Sequence, residues 1–161
     1  MRKTLIITGF LFFLFLIEFF LFNIFGKWFT PNLLLIFVVF VNLYFGIRPS
    51  LMVACGAGIL KDAFSLDVFG THIFSFMVCA CLTTYIRRNF YQPGSRLSRV
   101  FVVFVTCCAY ILLVSILKSI KMDMDFFVVF NCVFIPQTAV TLVVTTFVIA
   151  QLKQKADQLR L

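Results

Sequence analysis

The chain has 161 residues, of which 63% are hydrophobic and only 12% charged, with a mean hydropathy of +1.10 and a formal net charge of +8. So few polar groups cannot clothe a core in water, which excludes an ordinary soluble domain. It also excludes a nucleic-acid-binding domain, whose basic residues need a soluble face to carry them.

In lipid the backbone must satisfy its own hydrogen bonds, so spanning segments are helices or a closed barrel. The apolar runs are too long and continuous for the alternating strands of a barrel. The fold class is therefore all-α, a polytopic membrane helical bundle.

A hydrocarbon core about 30 Å thick takes about 20 helical residues. Six transmembrane helices are predicted, at about 5–25, 28–45, 49–64, 68–86, 100–117 and 126–150, within one integral membrane domain covering 1–161. The first run follows Arg2 and Lys3 and stays rich in Phe and Leu as far as Asn23. It lacks the small-residue cleavage site of a secretory signal and is expected to remain as a span. In the second, Thr30 suits an N-cap with Pro31 at the first helical position. The third follows Arg48, fades at Lys61-Asp62, and is short enough to require little tilt or a thin bilayer. Ser65 or Asp67 is placed to cap the fourth. A loop over 87–99 carries the turn signal Pro93-Gly94. Pro136 should kink the sixth span, and a polar tail, 151–161, follows it.

Orientation follows from lysine and arginine in the short loops. Six crossings put Arg2, Lys3, Arg48, Arg87, Arg88, Arg96, Arg99, Lys153, Lys155 and Arg160 on one side, with Lys27, Lys61, Lys118 and Lys121 on the other. Asp62, Asp67, Asp123 and Asp125 all fall on the poorer side. The sequence thus places the N- and C-termini in the cytoplasm, in a multi-pass membrane protein. A five-span arrangement would separate Arg48 from the 87–99 loop. The basic side is also where anionic lipids would gather.

The chemistry-bearing residues are few. Cys55, Cys79, Cys81, Cys107, Cys108 and Cys132 lie inside predicted spans at spacings that do not match zinc pairs, so they read as packing residues. His72 is the only histidine and has no partner for a nucleophilic relay; a buried, hydrogen-bonded imidazole is the expectation. No phosphate loop, paired catalytic carboxylates or cofactor fingerprint is present. The sequence predicts no catalytic, metal or cofactor site, and the chain does not read as an enzyme.

Glu18 lies in the outer half of the first span, where a carboxylate is costly and normally faces protein or a cavity. It is either protonated, snorkelling outward, or engaged in a polar contact. That contact is with Lys61, the basic residue at matching depth, or with another chain's membrane helix. Asp62 stands in the last turn of the third helix, against the local dipole. That placement suggests a hydrogen-bonding duty, either bracing the next helix or meeting a partner or ligand. Asp62 and His72 are expected together at the mouth of a hairpin formed by the third and fourth spans. Gly56 and Gly58 should seat the third helix closely against a neighbour. Asn131, Thr138, Thr141 and Thr145 share one stripe of the sixth span, which should face protein.

Residues 31–36, Pro-Asn-Leu-Leu-Leu-Ile, are followed by Gly46, by 58–62, Gly-Ile-Leu-Lys-Asp, and by 69–72, Phe-Gly-Thr-His. This order resembles the MreD family of rod shape-determining proteins, over about residues 28–89. The family shows a Pro-Asp/Asn-Leu-Leu-Leu opening, a glycine-rich helix ending in Gly-Leu-Leu-x-Asp, and a Leu-Gly-x-His/Asn element. Carried onto this chain, the motif positions are Pro31, Asn32, Gly46, Gly58, Asp62, Gly70 and His72, with Gly56 in the glycine-rich helix. Ile59 and Phe69 replace the commoner leucines, and Lys61 falls at a variable position.

The resemblance implies a non-enzymatic inner-membrane subunit of the bacterial cell-elongation machinery. It would act with MreC, a bitopic scaffold, and with the MreB filament, and help control a SEDS-type glycan polymerase and a class B penicillin-binding transpeptidase. It also implies a fold similar to the six-helix substrate-binding subunit of energy-coupling-factor vitamin transporters. A small-molecule-binding transport subunit is therefore the alternative function, although the Phe- and Leu-packed first helix lacks the Ala-x-x-x-Ala docking pattern of such subunits. An uncategorised membrane assembly factor is the third reading.

Overall fold

The computed structural model describes residues 2–25, 31–64, 69–90 and 96–122, together with 138, 140, 141 and 143–145. Five helices follow in order: α1 (Arg2–Phe25), α2 (Leu33–Phe45), α3 (Ile47–Phe64), α4 (Thr71–Phe90) and α5 (Arg96–Met122). The described residues between 138 and 145 are helical too, and no strand occurs among the described residues. The fold is all-α. By length and composition Ile7–Ile24 and Ser98–Ile120 are apolar enough to cross a membrane, and Leu33–Phe45 is a shorter apolar helix.

The shortest of these helices is the centre. Eleven consecutive residues of α2, Leu33 to Leu43, are buried on every face. One face, including Leu34, Phe37, Val38 and Val41, joins Leu11, Leu14 and Phe15 of α1, Ala54 and Ala57 of α3, Phe76 of α4 and Ile111 of α5. The other, Leu33, Ile36, Val39 and Leu43, joins Ile86 of α4 and Val102 and Val103 of α5. The amphipathic pattern of a surface helix is absent because α2 has no surface. In contrast, α1 turns Phe12, Phe13 and Phe20 outward, as lipid-facing side chains of a bundle do.

Helix α3 packs most extensively against α4, and small residues make that approach possible. A Cβ at Gly58 would lie only 2.8 Å from the Ile73 nitrogen of α4. Gly56 faces α1, where a Cβ would meet the Leu11 side chain at 3.2 Å. The turn from α2 to α3 is a single residue, Gly46, held at φ +93° with its N–H bonded to Asn42 O at 3.1 Å. Only glycine adopts that backbone without strain. Pro49 sits in the first turn of α3, where no donor is needed.

Polar residues stitch the interior. Asn42 Nδ2 donates to Ala80 O at 2.8 Å, Thr84 Oγ1 at 2.9 Å and Ser50 Oγ at 3.3 Å, joining α2, α3 and α4. Thr83 and Thr106 meet at 3.3 Å between α4 and α5. At the same end, Arg87 Nη1 donates to Asn42 O at 2.8 Å and Arg99 Nη1 to the Tyr44 hydroxyl at 3.4 Å. Arg87 and Arg99 therefore share the end of the bundle that carries the α2–α3 turn and Arg48.

Several expected boundaries move. The N-cap of α2 is Asn32, not Thr30: its Oδ1 accepts from Leu35 N at 3.3 Å, so Pro31 precedes the cap instead of opening the helix. Helix α3 begins two residues early, and α4 begins at Thr71 because Gly70, at φ +96°, sets its start. Helix α5 runs from Arg96 to Met122, so the loop predicted for 87–99 is consumed from both sides. Ser65, Asp67, Pro136, Asn131, Cys132 and the 151–161 tail lie outside the described residues.

Candidate functional site

Glu18, Lys61 and Asp62 gather at the end of the bundle opposite Arg87 and Arg99. Lys61, near the C-terminus of α3, places Nζ 2.7 Å from Glu18 Oε1 of α1. The two side chains are 20% and 12% exposed, so the pair is only slightly open to its surroundings. The second carboxylate oxygen of Glu18 accepts from Leu34 N at 3.0 Å. That N–H belongs to the first turn of α2, where the helix has unsatisfied donors and a partial positive charge. One carboxylate thus balances a lysine and a helix terminus at once.

Asn32 completes the arrangement. Its Oδ1 accepts from both Lys61 Nζ, at 3.2 Å, and Leu35 N, while its own N–H donates to Thr141 Oγ1 at 3.3 Å. Lys61 Nζ also lies 5.7 Å from the Phe76 ring centre and 5.6 Å from that of Tyr110, within cation–π range. Five segments converge on this ammonium group.

Asp62 forms an adjoining knot. Its Oδ1 accepts from His72 N at 3.0 Å; its Oδ2 accepts from Gly70 N at 2.9 Å and Ile73 N at 3.2 Å. The aspartate that opposes the dipole of its own helix serves the positive end of α4 instead. It brings the family-motif positions Gly58, Asp62, Gly70 and His72 into one joint. Asp62 and His72 do meet, but through the His72 backbone. The imidazole Nδ1 bonds the Tyr110 hydroxyl of α5 at 2.8 Å, and His72 is buried.

Chemically this is an inward-looking centre. Glu18 receives one backbone N–H and Asp62 three, the lysine is bound to an acid and an amide, and the histidine to a phenol. The groups tie helices to each other; none is arranged as a nucleophile with its base. No cluster of metal-ligating residues occurs among the described residues. Cys79 and Cys107 are buried, Cys55 and Cys108 partly so, and Cys81 is exposed.

The family described as rod shape-determining protein MreD matches residues 1–155. The chain belongs to the MreD family. The match reaches far beyond the 28–89 segment that carries the recognisable motifs, and takes in Glu18, Tyr110 and Thr141. MreD-family membership makes this a membrane protein of the cell-shape class, with no known enzymatic activity in the family. No curated protein and no solved structure shows a match.

Tyr110 and Asn42 are among the contributors to this polar structure that the sequence does not single out. Tyr110 sits in a long apolar run and looks like a packing aromatic; its neighbours across the bundle give it a role. Asn42 carried a usable signal, being the lone amide in an otherwise apolar helix, and such residues face protein partners. Thr138, Thr141 and Thr145 are all buried, as their common stripe predicts.

Proposed function

We propose that this MreD-family protein is a non-enzymatic inner-membrane subunit of the cell-elongation (rod) complex, helping to maintain cell shape by organising peptidoglycan synthesis. In this reading one domain, 1–161, crosses six times with both termini cytoplasmic, in an arrangement similar to the substrate-binding subunit of energy-coupling-factor transporters. Its direct partner is an MreC-like bitopic scaffold. Through it the protein is linked to the MreB filament, a SEDS-type glycan polymerase and a class B penicillin-binding transpeptidase. Its arginine-rich end lies against anionic lipids of the inner leaflet.

The observation that carries the proposal is the family match over residues 1–155. The polar centre supports a scaffold over a transport subunit. A cargo site presents polar groups to its ligand, whereas Glu18 pairs with Lys61 and Lys61 bonds Asn32 Oδ1. Only Asn32 Nδ2 is left unpartnered among the buried side-chain polar atoms of the described residues. The Glu18–Lys61 pair then serves partner recovery by holding α1 against the bundle.

Copurification from detergent with a bitopic coiled-coil partner tests the proposal. Recovery of that partner, and rounding of rod-shaped cells on depletion, are expected. Recovery of a bound vitamin without the partner would replace the scaffold with the transporter. Glu18→Leu should lower thermal stability and partner recovery together. Lost recovery at unchanged stability would move Glu18 into the partner interface itself.

A further inference from the structure

At the arginine-rich end, a cleft of about 310 Å³ opens between the start of α3 and the end of α4, lined by Ile47, Thr84, Arg87 and Arg88. Arg87 is positioned by its bond to Asn42 O, so one cation is held at the cleft wall. Arg88 is exposed. Among the described residues no carboxylate pairs with either. The exposed lining of the cleft is mostly apolar, with two arginines and no acid among the residues that line it. Arginine is well matched to phosphate oxygens, so the pair offers a phosphate its partners while the rest of the lining suits hydrocarbon.

A second feature leads away from this cleft. On α4, Arg88 is preceded by Tyr85, Cys81, Met77 and Phe74, all exposed and separated by three or four residues. They form one continuous stripe along the helix. At 1.5 Å per residue it extends about 21 Å, longer than one leaflet's share, about 15 Å, of the hydrocarbon core. Ile47, at the cleft itself, is also exposed. A largely apolar cleft that carries two arginines, joined to an apolar track of this length, matches a molecule with a phosphate at one end and acyl chains at the other.

We infer that the cleft formed by Ile47, Thr84, Arg87 and Arg88 binds the headgroup phosphate of one anionic phospholipid, whose acyl chains run along the Phe74–Arg88 face of α4. The inference deepens the lipid contact proposed above, and its assignment to the inner leaflet rests on that orientation. A zwitterionic headgroup brings its own cation towards Arg87 and Arg88, so the site favours lipids of net negative charge. Loop arginines that arise from topology alone would attract anionic lipid diffusely, with no dependence on one residue.

The test is thermal unfolding of the full chain in neutral detergent. The additives are phosphatidylglycerol, phosphatidylcholine with the same acyl chains, and soluble glycerol phosphate. Phosphatidylglycerol should raise the melting temperature saturably, and the other two should not. Arg88→Gln, at an exposed residue, should melt normally without lipid. It should raise the half-maximal phosphatidylglycerol concentration by about five-fold, the scale of one exposed charge contact. Lys153→Gln, which removes the same charge from the tail, should leave that concentration unchanged. Equal stabilisation by phosphatidylcholine, an equal response to glycerol phosphate, or equal shifts in the two variants would each overturn the inference. Partner recovery and label accessibility are read separately, so a missing lipid site, a wrong orientation and a wrong complex give different results.

Discussion

Glu18 does two things with two oxygens, and this sets what its variants can do. Exchanging the charges, as Glu18→Lys with Lys61→Glu, recreates an ion pair on paper. It also points an ammonium group at Leu34 N and the positive end of α2. The exchanged protein should therefore melt well below the wild type, recovering less than half of what either single change loses. Full recovery in a detergent melting experiment would show that the α2 contact contributes nothing. Glu18→Gln alone leaves the lysine without its counter-charge. Because the side chains are 20% and 12% exposed, the cost should sit at the lower end of the range for a broken buried pair, about 3 kcal/mol. For Asp62, three backbone donors depend on one carboxylate. Asp62→Asn replaces one acceptor oxygen with a donor and should cost about 1.5–3 kcal/mol, the range for hydrogen bonds to charged groups. Asp123→Asn, in a predicted loop, should cost much less.

Between elements, the three glycines of α1 and α3 offer a graded series. Gly58→Ala drives a methyl group into the backbone of α4 at Ile73, where neither helix can yield without shifting. A loss of about 1–3 kcal/mol, typical of overpacking, is expected. Gly56→Ala meets only the Leu11 side chain, which can turn aside, so its effect should be smaller. Gly9 has nothing within 4 Å of its added Cβ, and Gly9→Ala should be neutral or mildly stabilising. Melting temperatures should rise from Gly58→Ala through Gly56→Ala to Gly9→Ala; an equal loss in all three would mean that glycine matters here for flexibility instead of fit. The same elements show which features could be read from sequence. Helix-length apolar runs announced α1 and α5, and the scarcity of basic residues at the depth of Glu18 pointed to Lys61. Thr30-Pro31 satisfied a local capping rule, yet Asn32 became the cap because Lys61 and Thr141 hold it from other helices. Those contacts span up to 109 residues, beyond any local pattern. Tyr110 was hidden for the same reason.

For the molecule as a whole, the two polar ends are distinct. One gathers Glu18, Asn32, Lys61, Asp62 and His72; the other holds Asn42, Tyr44, Arg87 and Arg99. With the orientation proposed, a cysteine at Lys121 should react with an impermeant reagent from the periplasmic side, and one at Arg88 only after the cytoplasmic face is opened. Labelling of Lys121→Cys from the cytoplasmic side alone would reverse the arrangement. The separation of charge was legible because loop lysines and arginines report sidedness irrespective of packing. The interior polar joints were legible only in part, since an amide or hydroxyl inside a span shows that a partner exists without showing where it is.

The central position of α2 bears on how the protein is made. Thirteen helical residues extend about 20 Å, well short of the hydrocarbon core. Among the described residues, the amide of Asn42 finds its acceptors on α3 and α4. Released into lipid by itself, α2 would be too short to cross comfortably and would carry an unsatisfied amide into hydrocarbon. It must leave the insertion machinery in company, with α3 and α4 already synthesised. A ribosome stalled before Thr84 has emerged should hold a nascent chain that α1 anchors but whose α2–α3 segment is still protease-sensitive, while one stalled beyond α4 should hold that segment protected. Biogenesis would then proceed by a three-helix block instead of one helix at a time, with α1 waiting beside it until Lys61 arrives.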